Sequence, residues 1–132
     1  MLKRSFVVVL ALLFALSFSS FAMADMTAKD FVSNAKKEIK EISVEQAKKD
    51  IDAKKAVVLD VRTEKEYKKG HVPGAIHLQR GLLEFKVNQK LPDKNAYIIV
   101  QCKSGGRAAL ATQTLQKMGY KNAVSMAGAI AR

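Results

Sequence analysis

The residues of this sequence with the clearest potential for chemistry form one short run that begins at Cys102, the only cysteine of the chain. The apolar residues 97–100 before it are typical of a buried strand, and the residues after Arg107 are typical of a helix. In a loop that joins a strand to a helix N-terminus, backbone N–H groups and the helix dipole favour a thiolate and attract anions. The run therefore predicts a nucleophilic cysteine that acts on an anionic substrate.

Cys102 is the predicted catalytic residue, and the loop after it supplies positive charge, a hydroxyl group and two glycines that permit a tight curl. The backbone N–H groups of 103–107 are expected to point at the sulfur. Arg62 follows another predicted strand, and ligand sites of parallel sheets lie at the carboxyl ends of strands. The candidate substrate-binding residues are Lys103, Ser104, Gly105, Gly106, Arg107 and Arg62. His71 and His77 lack neighbours at ligand spacing, so no metal or other cofactor is expected.

The N-terminal residues have the layout of a secretory signal peptide. Lys3 and Arg4 precede an unbroken apolar run at 6–16, and Ala22-Met23-Ala24 is a small-x-small cleavage site. The run is short for a membrane span, which needs about 20 residues. We therefore assign 1–24 to a signal peptide and expect export across the inner membrane to the periplasm, without stable membrane insertion after cleavage. The signal peptide does not distinguish a periplasmic protein from one that is released from the cell.

The charge of the chain is strongly basic, with 23 Lys and Arg residues against 12 Asp and Glu residues and a net charge of +11. The lysines are scattered among acidic residues, and no arginine-rich stripe with interleaved aromatic residues is present. This pattern indicates a solvated surface that attracts small anions and argues against a nucleic-acid partner. A single cysteine also excludes a disulfide within the chain.

Apolar periodicity and turn residues divide the rest of the chain into alternating helices and strands. Strands are predicted at 39–42, 56–61, 75–78, 97–101 and 123–126, and helices at 27–40, 43–54, 64–69, 81–88 and 107–118. The alternation predicts an α/β fold, with a small, mostly parallel five-stranded sheet and helices on both faces. In the helix at 81–88, Leu82, Leu83 and Phe85 are predicted to face inward. The amphipathic segment 25–40 either packs on the domain or forms a lead-in to it.

Two stretches of the sequence resemble the rhodanese-like domain family. They are LDVRTEKEYKKGHVPGAIH at 59–77 and the active-site loop CKSGGRA at 102–108. A weaker third stretch, VSMAGAI at 124–130, has Ala127 where the family usually has glycine, and tryptophan is absent. The likeness predicts a rhodanese-like domain at 41–132.

The resemblance implies the activity of a single-domain thiosulfate sulfurtransferase. Cys102 would take a sulfane sulfur from an anionic donor such as thiosulfate, hold it as a persulfide and pass it to cyanide or a thiol. Two half-reactions on one nucleophile imply ping-pong kinetics. The acceptor thiol belongs either to a small molecule or to a partner protein, and we expect a monomer.

Two alternatives are weighed against this interpretation. One is a sulfur carrier or binding module that serves one partner protein, because the sequence shows the sulfur site but not the molecules it serves. The other is a cysteine-dependent phosphatase. Such phosphatases have five residues between cysteine and arginine, whereas four separate Cys102 from Arg107, and Gln101 stands where they usually carry histidine. A shorter loop suits one sulfur atom better than a tetrahedral oxyanion.

Overall fold

A computed structural model describes residues 24–130 of the chain. Residues 1–23, which make up most of the predicted signal peptide, lie outside this range. The helices are α1 (Ala28–Glu38), α2 (Val44–Asp52), α3 (Glu64–Lys69), α4 (Leu83–Lys90) and α5 (Gly106–Lys117), and a 3₁₀ turn at Arg80–Leu82 precedes α4. The strands are β1 (Glu41–Ile42), β2 (Val57–Asp60), β3 (Ile76–His77), β4 (Ile98–Gln101) and β5 (Ala123–Met126).

The five strands form one sheet in the order β1-β5-β4-β2-β3, and every neighbouring pair is parallel. The longer strands β2, β4 and β5 are central, and continuous apolar runs suit strands that are covered on both faces. Asp60 and Gln101 are register partners at the ends of β2 and β4. The predicted five-stranded α/β fold is confirmed.

Helices cover both faces of the sheet. On one face, Leu59 and Val100 pack with Leu83 and Val87 of α4 and Leu115 of α5. The opposite face carries two smaller clusters, which pack against α2 and against the residues that follow α3. Parallel strands place their carboxyl ends at one edge, so the loops after β2 and β4 meet there.

Helix α1 packs on α5, which answers the question that the sequence left open. Ala35 is fully buried, and the amide of Gln113 donates a hydrogen bond of 2.7 Å to Glu38. The start of α1 is defined by a capping box in which Thr27 and Asp30 exchange hydrogen bonds. Segment 25–40 therefore contributes a helix to the domain surface and is not a detached lead-in.

The prediction for the inward face of the helix at 81–88 is wrong for two residues. Leu83 is fully buried, but Leu82 is 43% exposed and Phe85 is 81% exposed. Residues 80–82 form a 3₁₀ turn, and the buried face of α4 follows Leu83 and Val87 at helical spacing. This spacing turns Phe85 away from the core.

Candidate active site

Cys102 lies directly after β4, at the carboxyl edge of the sheet, and is fully buried. Two backbone N–H groups donate to its sulfur: Gly105 at an N···Sγ distance of 3.1 Å and Ala108 at 3.4 Å. Ala108 belongs to the first turn of α5, where N–H groups have no partner within the helix. The sulfur therefore occupies an anion-stabilising position made by the loop and the helix N-terminus together.

Gly105 shapes this loop. Its φ angle is +95°, a backbone conformation that residues with a side chain rarely adopt. A Cβ at this position would also lie 3.4 Å from the Gly128 nitrogen and the Met126 carbonyl oxygen. The segment after β5 thus lies against the loop, and the positive φ angle is what requires glycine at this position.

Arg107 is held by Glu66 of α3. Its two terminal nitrogens donate to the two carboxylate oxygens at 2.8 and 2.9 Å, which is the bidentate geometry typical of strong arginine–carboxylate pairs. The hydrogen bonds from Arg107 lower the pKa of Glu66 far below its ordinary value. Glu66 in turn raises the pKa of Arg107, with a smaller contribution from the Cys102 sulfur. The arginine thus lies within electrostatic reach of the sulfur, but its charge is already paired.

Arg62 belongs to a buried network at the end of β2. It donates to Asp60 from its backbone nitrogen, Nε and Nη2, and its remaining guanidinium contacts are the carbonyl oxygens of Glu66 and Gly70. Gln101 of β4 adds a hydrogen bond of 2.7 Å to Asp60. Burial alone would raise the pKa of Asp60, but the hydrogen bonds and charge of Arg62 outweigh it and hold this pKa below its ordinary value. The network ties the ends of the two strands together immediately before Cys102.

A cavity of about 380 Å³ opens beside the active-site loop. Lys103 and Ser104 are exposed at this edge, in contrast to the buried sulfur. Four of the lining residues are charged, and three of these are basic, so the cavity suits a small anion. It is lined by Arg62, Glu66, Lys69, Lys103, Ala129 and Ile130.

The structure therefore brings the predicted site residues together at one edge but gives them different partners. The expectation that N–H groups of 103–107 point at the sulfur holds for Gly105 and extends to Ala108, which the sequence analysis did not single out. Arg62 reaches the cavity, yet its guanidinium hydrogen bonds with Asp60 and two carbonyls. Glu66 was not among the site residues predicted from the sequence. Its position three residues after Thr63, in a capping box, was the available signal.

His71 and His77 stack on either side of Tyr67, with ring centroids 3.7 and 4.6 Å away. Each imidazole also bonds to a backbone carbonyl, that of Tyr67 for His71 and that of Arg62 for His77. Within residues 24–130, no group of three or more His, Cys, Asp or Glu side chains is arranged to hold a metal ion.

The sequence profile described as the rhodanese-like domain matches residues 43–132. The chain belongs to the rhodanese-like domain family. The match includes the loop that begins at Cys102 and the network around Asp60, while α1 precedes it.

Two curated relatives of this rhodanese-like domain have names that refer to sulfur transfer or sulfur carriage. The chain is 37% identical over 89 residues to the Bacillus subtilis protein named "Putative sulfur carrier protein YrkF", covering 67% of this chain and 47% of that protein. It is 31% identical over 70 residues to the Escherichia coli thiosulfate sulfurtransferase PspE, covering 53% of this chain and 67% of the relative. This chain thus spans about half the length of YrkF.

A solved structure from Rhodopseudomonas palustris shares the fold. Its description is a protein of unknown function, RPA3614, and a possible tyrosine phosphatase. The TM-score is 0.70 at 25% sequence identity, and the alignment covers 80% of this chain and 87% of the other. Among the residues that the structure describes, no helix of this rhodanese-like domain is long and apolar enough to cross a membrane.

Proposed function

We propose that this rhodanese-like protein is a sulfurtransferase that carries sulfane sulfur on Cys102 as a persulfide. The observation that carries the proposal is the fully buried sulfur with N–H donors from Gly105 and Ala108 at 3.1 and 3.4 Å, beside a mostly basic cavity. Such donors stabilise negative charge on sulfur both before and after sulfur transfer. The similarity to PspE supports thiosulfate as the donor.

The reaction proceeds in two half-reactions. The Cys102 thiolate attacks the outer sulfur of thiosulfate, a new S–S bond forms, and the bond to the central sulfur breaks with its electron pair leaving on sulfite. Cyanide or a thiolate then attacks the outer sulfur of the persulfide, and Cys102 departs as the thiolate. Lys103 and Lys69 attract the donor to the cavity, and the N–H groups of the loop receive the negative charge that stays on the protein.

Intact-mass measurement of the purified protein before and after thiosulfate tests the proposal. The expected result is a gain of one sulfur atom that cyanide discharges, with no gain for the Cys102→Ser variant. A wild-type protein that gains no sulfur, although its thiol still reacts with an alkylating reagent, would overturn the thiosulfate assignment.

A sulfur carrier is the second candidate, favoured by the similarity to YrkF. It forms the same persulfide but turns over slowly with cyanide or small thiols. Steady-state rates with thiosulfate and cyanide therefore distinguish the two functions once the persulfide has been seen. Phosphatase activity is disfavoured because only four residues separate Cys102 from Arg107 and because Glu66 occupies the Arg107 guanidinium. Hydrolysis of an aryl phosphate by the wild type, lost in Cys102→Ser, would reverse that choice.

We further propose export to the periplasm through the signal peptide at 1–24. The basic start, apolar run and cleavage site support it. The protein purified from a periplasmic extract should have the mass of a chain that begins at Asp25. A protein with its N-terminus intact, found in the cytoplasmic fraction, would contradict export.

A further inference from the structure

The charged residues that line the cavity beside the active-site loop differ in whether a partner cancels their charge. Arg62 lines the cavity, and its Nη2 lies 2.6 Å from a carboxylate oxygen of Asp60. Glu66 also lines it and accepts hydrogen bonds from both terminal nitrogens of Arg107. A closely paired cation and anion have little net charge, so they attract a further anion only weakly. The two pairs therefore add little to the net charge of the cavity.

Two lysines of the same cavity differ from these pairs. Lys69 is the last residue of α3, and Lys103 directly follows Cys102, so two separate elements supply the two ammonium groups. Both residues are exposed, and among residues 24–130 neither takes part in an ion pair. The cavity therefore carries two positive charges that no carboxylate cancels, which matches the charge of a dianion.

The geometry of sulfur transfer assigns different parts of the donor to the two lysines. When the Cys102 thiolate attacks the outer sulfur of a donor, the bond that breaks lies opposite the bond that forms. The oxygen-bearing end of thiosulfate therefore points away from the cysteine. Lys103 is held beside Cys102 by the chain, whereas Lys69 lines the cavity from α3, outside the cysteine loop. Lys69 is the cation better placed for the remote, oxygen-bearing end.

We propose that Lys69 determines the charge class of the donor, because it pairs with the oxygen-bearing end of a dianion and favours dianionic over monoanionic sulfane-sulfur donors. This assignment rests on the proposed persulfide function and adds to it a specificity-determining residue outside the cysteine loop. The Coulomb energy is proportional to the charge of the donor, so one lysine interacts about twice as strongly with a dianion as with a monoanion of the same shape.

Thiosulfate and the methanethiosulfonate anion form a matched pair of donors for the test. They share the outer sulfur, but a methyl group replaces one oxygen in the second, which makes it a monoanion. With either donor, the thiolate attacks the outer sulfur, a new S–S bond forms, and the electron pair of the broken bond leaves on sulfite or methanesulfinate. The same persulfide forms on Cys102. Comparing each variant with the wild type for one donor at a time cancels the different reactivities of the two donors.

Single-turnover formation of the persulfide at low ionic strength, followed by intact mass, gives a second-order rate constant for each donor. Lys69→Gln should lower this constant about tenfold for thiosulfate but only about threefold for methanethiosulfonate, because the lost Coulomb energy is doubled for the dianion. Lys69→Arg keeps the charge and should restore the wild-type ratio between the donors. Added salt should reduce the difference between the donors, since it screens exposed charges.

Lys68→Gln is the matched control. Lys68 is the preceding residue of α3, but it pairs with Glu64 and is not among the described residues that line this cavity. Its substitution removes the same formal charge from the helix and should change both rate constants by the same small factor.

Equal fold losses for the two donors in Lys69→Gln would overturn the assignment, and so would an unchanged rate with thiosulfate. The same donor-dependent loss in Lys68→Gln would also overturn it, because surface charge in general would then explain the effect. In each of these cases the persulfide still forms in the wild type, so the proposed function survives. A wild-type protein that gains no sulfur from either donor would overturn the proposed function and the assignment of Lys69 together.

Discussion

The ends of β2 and β4 lie side by side, yet the residues that follow them are used in opposite ways. After β2, the guanidinium of Arg62 is buried and its hydrogen bonds go to Asp60 and to backbone carbonyls. After β4, the sulfur of Cys102 receives two backbone N–H groups. A charge that is paired inside the fold stabilises structure, whereas donors aimed at a sulfur prepare it to carry negative charge.

This comparison separates residues that hold the site together from residues that take part in the proposed chemistry. The Asp60 network joins two strands and positions the start of the loop, and Arg107 is likewise held by Glu66. The lysines at the cavity remain available to a ligand. Substitutions that remove one member of a pair therefore distinguish the two regions by experiment.

The largest effect is expected from Cys102→Ser. Sulfur transfer should fall at least about 1,000-fold, because loss of a catalytic nucleophile removes the covalent route altogether. The free energy of unfolding should change little, since serine is close to cysteine in size. Thiosulfate–cyanide turnover and urea unfolding measure the two quantities. Residual transfer near the wild-type rate would show that the sulfur is not carried on Cys102.

Arg62→Met should instead act on stability. It leaves the Asp60 carboxylate buried without its cation, which costs about 3 kcal/mol of unfolding free energy. Lys68→Met is the control, because Lys68 pairs with Glu64 on the exposed surface and its loss should cost less than about 1 kcal/mol. Urea unfolding gives both values. If Arg62→Met kept its stability but raised the KM for thiosulfate, Arg62 would contact the donor, as the sequence analysis predicted.

Acid should weaken the fold because it protonates the carboxylates of Asp60 and Glu66. The pKa values of Asp60 and Glu66 are lowered in the folded protein, so their pairing contributes stability above their unfolded pKa values and loses it as the pH falls. The free energy of unfolding should therefore decline as the pH drops below about 4.5, the ordinary pKa of glutamate. The decline should be shallower in Arg62→Met, because Asp60 then has no guanidinium partner. Identical slopes would exclude Asp60 as a source of acid sensitivity.

The smallest effect is expected from Glu66→Gln. Glutamine preserves the capping box with Thr63 but removes the carboxylate that pairs with Arg107 at the cavity. The KM for thiosulfate should fall about two- to fivefold with little change in kcat, in keeping with the modest energy of partly exposed ion pairs. Glu84→Gln, which disrupts a pair on α4, should leave KM unchanged. A rise in KM would mean that Glu66 serves mainly to orient Arg107 for the donor.

The order and type of elements could be predicted because the signals are local. Continuous apolar runs marked β2 and β4, and glycines or capping residues marked helix ends. Phe85 was misplaced because residues two positions apart on a helix do not share a face, so Phe85 cannot be buried together with Leu83 and Val87. The packing of α1 could not be predicted, because an apolar helix face indicates that the helix packs on something but does not identify the element it contacts.

By itself, the sequence determined the α/β alternation, the position of Cys102 between a strand and a helix, and the resemblance to rhodanese-like domains. Only the tertiary structure decided which cations keep their charge available. Glu66 and Arg107 are 41 positions apart in sequence, and the pairing of Asp60 with Gln101 spans the same separation. Such partners meet because parallel strands end at one edge of the sheet, and that convergence depends on long-range packing that no local pattern encodes.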